Sequence, residues 1–152
     1  MRCEFIGPDS GLWSRFLADS AYDFYHLPRY VELSATDPLC APNRDGQPLA
    51  FHADDDNGRR FLLALIVRPI PAARGSAATL YDAITPYGYA SPLVIGPSDD
   101  SVDSFLAEAI RELSHGLKSR GIVSAFVRTH PLFPYTLERI RRNPSSPIES
   151  RQ

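Results

Sequence analysis

The sequence predicts an α/β (α+β) domain, a mixed sheet flanked by helices, on three observations. Phe61-Leu62-Leu63-Ala64-Leu65-Ile66-Val67 is an unbroken apolar run; lacking polar alternation, it suits a central strand covered on both faces. Just before it, Asp54-Asp55-Asp56-Asn57-Gly58 is rich in residues that tolerate positive φ, which ties the run to residues 48–53 as an antiparallel hairpin. Farther on, Val102, Phe105, Leu106, Ala109, Ile110, Leu113 and Leu117 recur at spacings of three and four, the stripe of a helix packed on a sheet.

The elements follow in order. Residues 2–6 read as a short strand closed by Gly7-Pro8. Leu12, Trp13, Phe16 and Leu17 have helical spacing behind Asp9 and Ser10, either of which could cap. A second short helix starts at Pro28, a residue preorganised for the first helical turn. Residues 36–46, with two prolines, Asn43, Asp45 and Gly46, form a loop. After the hairpin, residues 79–85 make a strand stopped by Pro86, and residues 92–95 extend it or form a separate one. The long helix covers 101–120, with Asp99, Asp100 and Asp103 at its positive end, Lys118 and Arg120 at its negative end, and Gly121 as its cap. Residues 122–127 are a strand. One short helix at 136–142 precedes a disordered tail at 143–152. The order is β-α-α-β-β-β-α-β, with a domain at 1–133 and an appendage at 134–152.

Composition narrows the class. With 152 residues the chain fits one core, and 43% hydrophobic content argues against wholesale disorder. A net charge of -2 gives no general attraction for nucleic acid or anionic membranes, and the aromatic residues do not interleave with a basic patch. The start of the chain lacks the features of a signal peptide, and the run at 61–67 is too short to span a bilayer. The expected location is the cytoplasm, with Cys3 and Cys40 as reduced thiols. Asp54, Asp55 and Asp56 resemble a metal-binding run but read better as a solvated hairpin tip, since calcium sites spread their ligands at alternating positions. No nucleophile elbow, Walker loop or dinucleotide fingerprint is present.

Three clusters carry the candidate site: Asp23-Phe24-Tyr25-His26-Leu27-Pro28-Arg29-Tyr30, Tyr87-Gly88-Tyr89-Ala90-Ser91-Pro92-Leu93, and Phe126-Val127-Arg128-Thr129-His130-Pro131-Leu132. The element order resembles the first five strands of the GNAT acetyltransferase fold. The three clusters, in this order, resemble the amino-terminal half of FemAB-like tandem-GNAT proteins, which include the peptidoglycan bridge-forming aminoacyltransferases. The resemblance spans about residues 5–133 and implies a GNAT-like sheet truncated after about the fifth strand. It implies the non-donor half, or a fragment, of an acyl or aminoacyltransferase acting on an amine and inactive alone. The family's donors are acyl-CoA or aminoacyl-tRNA. This chain is expected to bind no cofactor, because Ile95-Gly96-Pro97-Ser98-Asp99-Asp100-Ser101 stands where the family's coenzyme A loop lies. There Pro97 removes an amide donor, and the aspartates repel a pyrophosphate.

The residues themselves leave alternatives open. Tyr87 and Tyr89 flank a permissive glycine after a strand end and either face a ligand or pack on the core. Arg128 and His130 leave the last strand at alternate positions; Arg128 could pair with an anion or a local carboxylate, and His130 could carry a proton or merely end the strand. Tyr25 and His26 line a cleft or cap the helix behind them. The expected partner is a second GNAT-like half, or a second copy, joined along an exposed last strand. The reading from another class is a non-catalytic binding or assembly module docked on a partner protein.

Overall fold

A computed structural model describes residues 1–39, 41, 45–71, 79–97 and 101–130. Cys40, Asp99 and Asp100, the helix expected at 136–142 and the tail at 143–152 lie outside the described residues. The elements are β1 (Arg2–Ile6), α1 (Gly11–Ala18), a 3-10 turn (Phe24–His26), α2 (Pro28–Ala35), β2 (Gln47–Asp54), β3 (Arg60–Ile70), β4 (Leu80–Ile84), β5 (Leu93–Ile95), α3 (Ser101–Ser119) and β6 (Ile122–Phe126). They form a mixed sheet in the order β1-β2-β3-β4-β6, with β5 also on β3. Helices cover both of its faces, which gives the α+β class.

The apolar run lies inside β3 and takes the centre of the sheet. Its alternate residues Phe61, Leu63, Leu65 and Val67 enter a core with Phe105, Leu106, Ala109 and Leu113 of α3. Leu62, Ala64 and Ile66 enter a second core with Trp13, Phe16 and Leu17 of α1 and Val31 of α2. Such double burial is why no polar residue interrupts the run. The hairpin tip is held locally: Asp55 Oδ1 accepts from the amides of Asn57 and Arg59, both at 3.0 Å. Ser10, and not Asp9, caps α1, its Oγ accepting from Leu12 N at 3.3 Å.

Residues 93–95 make a separate strand, and not one that prolongs β4. β4 and β5 lie along the same flank of β3, β4 opposite residues 66–70 and β5 opposite 60–62. Between them Pro86 and Pro92 offer no amide to a ladder, and the chain leaves β3 through a turn at 87–89. Among the described residues the sheet therefore has six strands, the separate-strand alternative for this segment, and β6 holds the fifth place across it.

All pairings are antiparallel except β4 with β6. A parallel pair needs a long crossover, and α3 supplies it. All seven residues of its predicted stripe are buried, and Gly121 at φ 72 takes the left-handed cap position that ends it. Among the described strands β6 is an edge, with Val123 59% and Phe126 61% exposed. No helix among the described residues is long and apolar enough to cross a membrane.

Candidate functional site

The described residues of the three sequence clusters converge beside the gap between β4 and β5. The first folds into the 3-10 turn, an element the sequence pattern does not announce, and α2 follows it from the expected start at Pro28. Asp23 caps this turn: its Oδ1 accepts from Phe24 N, and its own amide donates to His26 Nδ1 at 3.1 Å. The spacing is that of a capping box with histidine in the reciprocal position. His26 is 1% exposed. Its Nε2 donates to Ser91 O at 3.0 Å, and its carbonyl accepts from Trp13 Nε1 at 3.0 Å. Both ring nitrogens are thus engaged in holding the turn against the second cluster. Capping and packing, the alternative to ligand binding, is the role this geometry gives His26.

The second and third clusters are stitched by Thr85 and Ser91. Thr85 N donates to Phe126 O at 3.0 Å, continuing the parallel ladder one step beyond β4. Thr85 Oγ1 then accepts from Arg128 N at 3.0 Å, and Thr85 O accepts from Arg128 Nη1 at 3.0 Å. Ser91 Oγ accepts from His130 N at 2.9 Å. Because β6 ends at Phe126, strand alternation does not orient Arg128 and His130; each is set by its own contacts. Arg128 lies 5.2 Å from the Phe126 ring centre and, among the described residues, reaches a carbonyl and not a carboxylate.

His130, 7% exposed, places Nε2 at 3.2 Å from Asp23 Oδ2. Asp23 and His130 are 107 residues apart, and their contact joins the first cluster to the third. Around this pair stand rings in edge contact: Tyr89 with His130 at 5.8 Å between centres, and Tyr89 with Tyr25 at 6.1 Å. Tyr25 also lies on Phe24 at 4.0 Å. Tyr87 and Tyr89 are 55% and 49% exposed, and Tyr87 contributes its carbonyl, which accepts from Tyr30 Oη at 3.0 Å. The structure therefore brings Tyr25, His26, Tyr89 and His130 together around Asp23, with Tyr87 tied in through its carbonyl to Tyr30 and Arg128 held on Thr85 and Phe126. It adds Thr85, which lies outside the three clusters, and Asp23, Ser91 and Tyr30, which lie within them but have no individual role assigned from the sequence. The spacing of Asp23 to His26 is a usable signal for Asp23; nothing local marks Thr85.

Burial of His26, opposed in part by the Ser91 and Asp23 carbonyls that would accept from a protonated ring, holds its pKa below the ordinary 6.5, and burial moves His52 of β2 the same way. Unfolded, both rings take up protons near 6.5, whereas the native rings resist. The unfolded state then binds more protons, so stability rises with pH across that window. Urea unfolding between about pH 5 and 8 should show a plateau above neutrality and a decline beginning near 6.5 as pH falls. A flat profile, or one that rises on acidification, would contradict neutral burial of these rings.

Searches against family models, curated proteins and solved structures return no match to this chain.

Proposed function

We propose that this chain is the amine-acceptor half of a FemAB-like, GNAT-fold acyl or aminoacyltransferase. The observation that carries the reading is the convergence of the three resembling clusters on one site, joined by the Asp23–His130 contact at 3.2 Å. An amine that attacks an acyl carbonyl must lose a proton as the amide forms. A carboxylate beside an imidazole stabilises the imidazolium made when that proton is taken. The Asp23 side chain is 34% exposed, so an ammonium can reach it, and the rings of Tyr25 and Tyr89 offer electron-rich faces beside it. The topology supports the same reading. An antiparallel β1–β4 front followed by a helical crossover to a parallel β6 is the order a GNAT half would have. The acyl donor, acyl-CoA or aminoacyl-tRNA, would come to a second half.

A second reading, a non-catalytic assembly module, draws on β6. Its exposed Val123 and Phe126 lie on an edge strand, a template for pairing. One set of measurements separates the two. The acceptor-half reading expects Nα-acetyl-lysine amide, a simple primary amine, to bind saturably and at least about tenfold more weakly to Asp23→Asn, roughly 1.4 kcal/mol. It also expects no amide product from acetyl-CoA with the chain alone, and no saturable coenzyme A binding tighter than about 10 μM. Tight coenzyme A binding sinks the acceptor-half assignment. Indifference to the amine, with self-association in sedimentation that Phe126→Lys abolishes, moves the protein to the module class.

A further inference from the structure

A second polar site lies on the sheet face that α1 covers only in part. Register places Arg2, Asp54 and Arg60 in one row across β1, β2 and β3, and Glu4, His52 and Leu62 in the next. The row after that, Ile6, Ala50 and Ala64, is buried in the α1–α2 core. Residues two apart on a strand share a face, so the charged rows continue the face that the core occupies. α1 is eight residues long, and beyond its Leu12 and Arg15 the face opens into a cleft of about 410 Å³.

The charges in this cleft divide into engaged and available. Arg2 pairs with Asp54. Arg60 pairs with Asp19 at 2.8 Å and lies 5.8 Å from the Phe16 ring centre. Arg15 reaches only the Gly11 carbonyl, through Nε at 3.2 Å, and among the described residues neither Arg15 nor Glu4 is in an ion pair. Between them in the lining is His52, 4% exposed, whose Nδ1 is buried with no hydrogen-bond partner among the described residues. Buried polar atoms are almost always paired, and an apolar side chain would suit this position better for stability alone. The imidazole is kept in the lining of the cleft at a cost to the fold, as polar groups near a site often are.

We propose that this cleft binds a small zwitterion of the α-amino-acid class. Its carboxylate meets the Arg15 guanidinium, whose planar donors match a carboxylate. Its ammonium meets Glu4, and its body lies against His52 and Leu12. The two available charges are one of each sign, which fits a zwitterion better than a phosphate. A phosphate would meet Glu4 and Asp54 as repelling neighbours. The site shares no residue with the Asp23–His130 site, and the two stand or fall separately.

Calorimetry of the full chain with L-alanine, acetate, methylammonium and inorganic phosphate tests it. L-alanine should saturate the protein below about 1 mM, with acetate, methylammonium and phosphate each at least about tenfold weaker. Arg15→Gln and Glu4→Gln, both at exposed positions, should each weaken L-alanine at least about tenfold, roughly one decade in Kd. His52→Leu should show no fall in melting temperature, because it removes a buried nitrogen that has no partner among the described residues. No saturation up to about 10 mM, or phosphate or acetate binding as tightly as L-alanine, would overturn the proposal. So would full affinity in Arg15→Gln, a variant whose fold does not depend on the missing charge.

Discussion

Replacing Trp13 with alanine should be among the most damaging single changes in this protein, at about 3–5 kcal/mol of unfolding free energy. Trp13 is 0% exposed and sits in the core beneath β3 with Phe16, Val31 and Leu62. It also donates Nε1–H to the His26 carbonyl at 3.0 Å. The indole thereby joins α1, the sheet and the turn that carries Asp23, Tyr25 and His26. For a chain of this length, the loss corresponds to a melting temperature lower by on the order of 10 °C. Trp13→Phe dissects the effect. It keeps most of the buried area but orphans the His26 carbonyl, which costs about 1–3 kcal/mol. Urea titrations of both variants should order them wild type, then Phe, then Ala. The turn should loosen in both, so lysine-amide binding should weaken in Trp13→Phe even at temperatures where the variant is fully folded. Equal stability of Phe and wild type would mean that the indole hydrogen bond does not anchor the turn.

The parts of the fold that were legible in the sequence are those set by local pattern and burial. The run at 61–67 announced a two-sided strand because every one of its side chains is buried. The stripe of α3 was complete because a helix on a sheet buries one face and exposes the other. What was not legible depends on chain segments that meet only through topology. Ser91 is 39 residues from His130 and 65 from His26, and no spacing in the sequence announces those contacts. The split of one strand position into β4 and β5 turns on Pro86 and Pro92 acting together, and each proline alone reads only as a strand end. His52 was hidden differently. It lies inside a strand that was correctly placed, between Phe51 and Ala53, and only the register with Glu4 and Leu62 shows that its face runs on past the core. A polar ring there stands at a position otherwise given to core residues. That conflict between pattern and residue is the kind that points to a site.

Gly88→Ala should cost more than the same change at Gly58, and the difference isolates how the aromatic site is built. Both glycines have positive φ, 96° at Gly88 and 77° at Gly58, and an alanine at either must bear the left-handed penalty of about 1–2 kcal/mol. At Gly58 an added Cβ meets nothing within 4 Å. At Gly88 it would land 2.1 Å from Cε1 and 2.5 Å from Cδ1 of Tyr25. The ring cannot retreat freely: Phe24 lies on it at 4.0 Å, with Tyr30 at 5.6 Å and Tyr89 at 6.1 Å between centres. Gly88→Ala must therefore either move the turn at 87–89, straining the Tyr30 hydrogen bond to the Tyr87 carbonyl, or swing Tyr25 out of the aromatic group. The expected loss is about 3 kcal/mol, the backbone penalty plus a further 1–3 kcal/mol for the forced displacement, against about 1 kcal/mol for Gly58→Ala. A Tyr25→Ala background supplies the check, because removing the ring should bring the cost at Gly88 down to that at Gly58. Thermal unfolding of the four variants gives the coupling directly. If the two glycine substitutions cost the same in the presence of Tyr25, the close approach of the Gly88 backbone to the ring does not hold this site together.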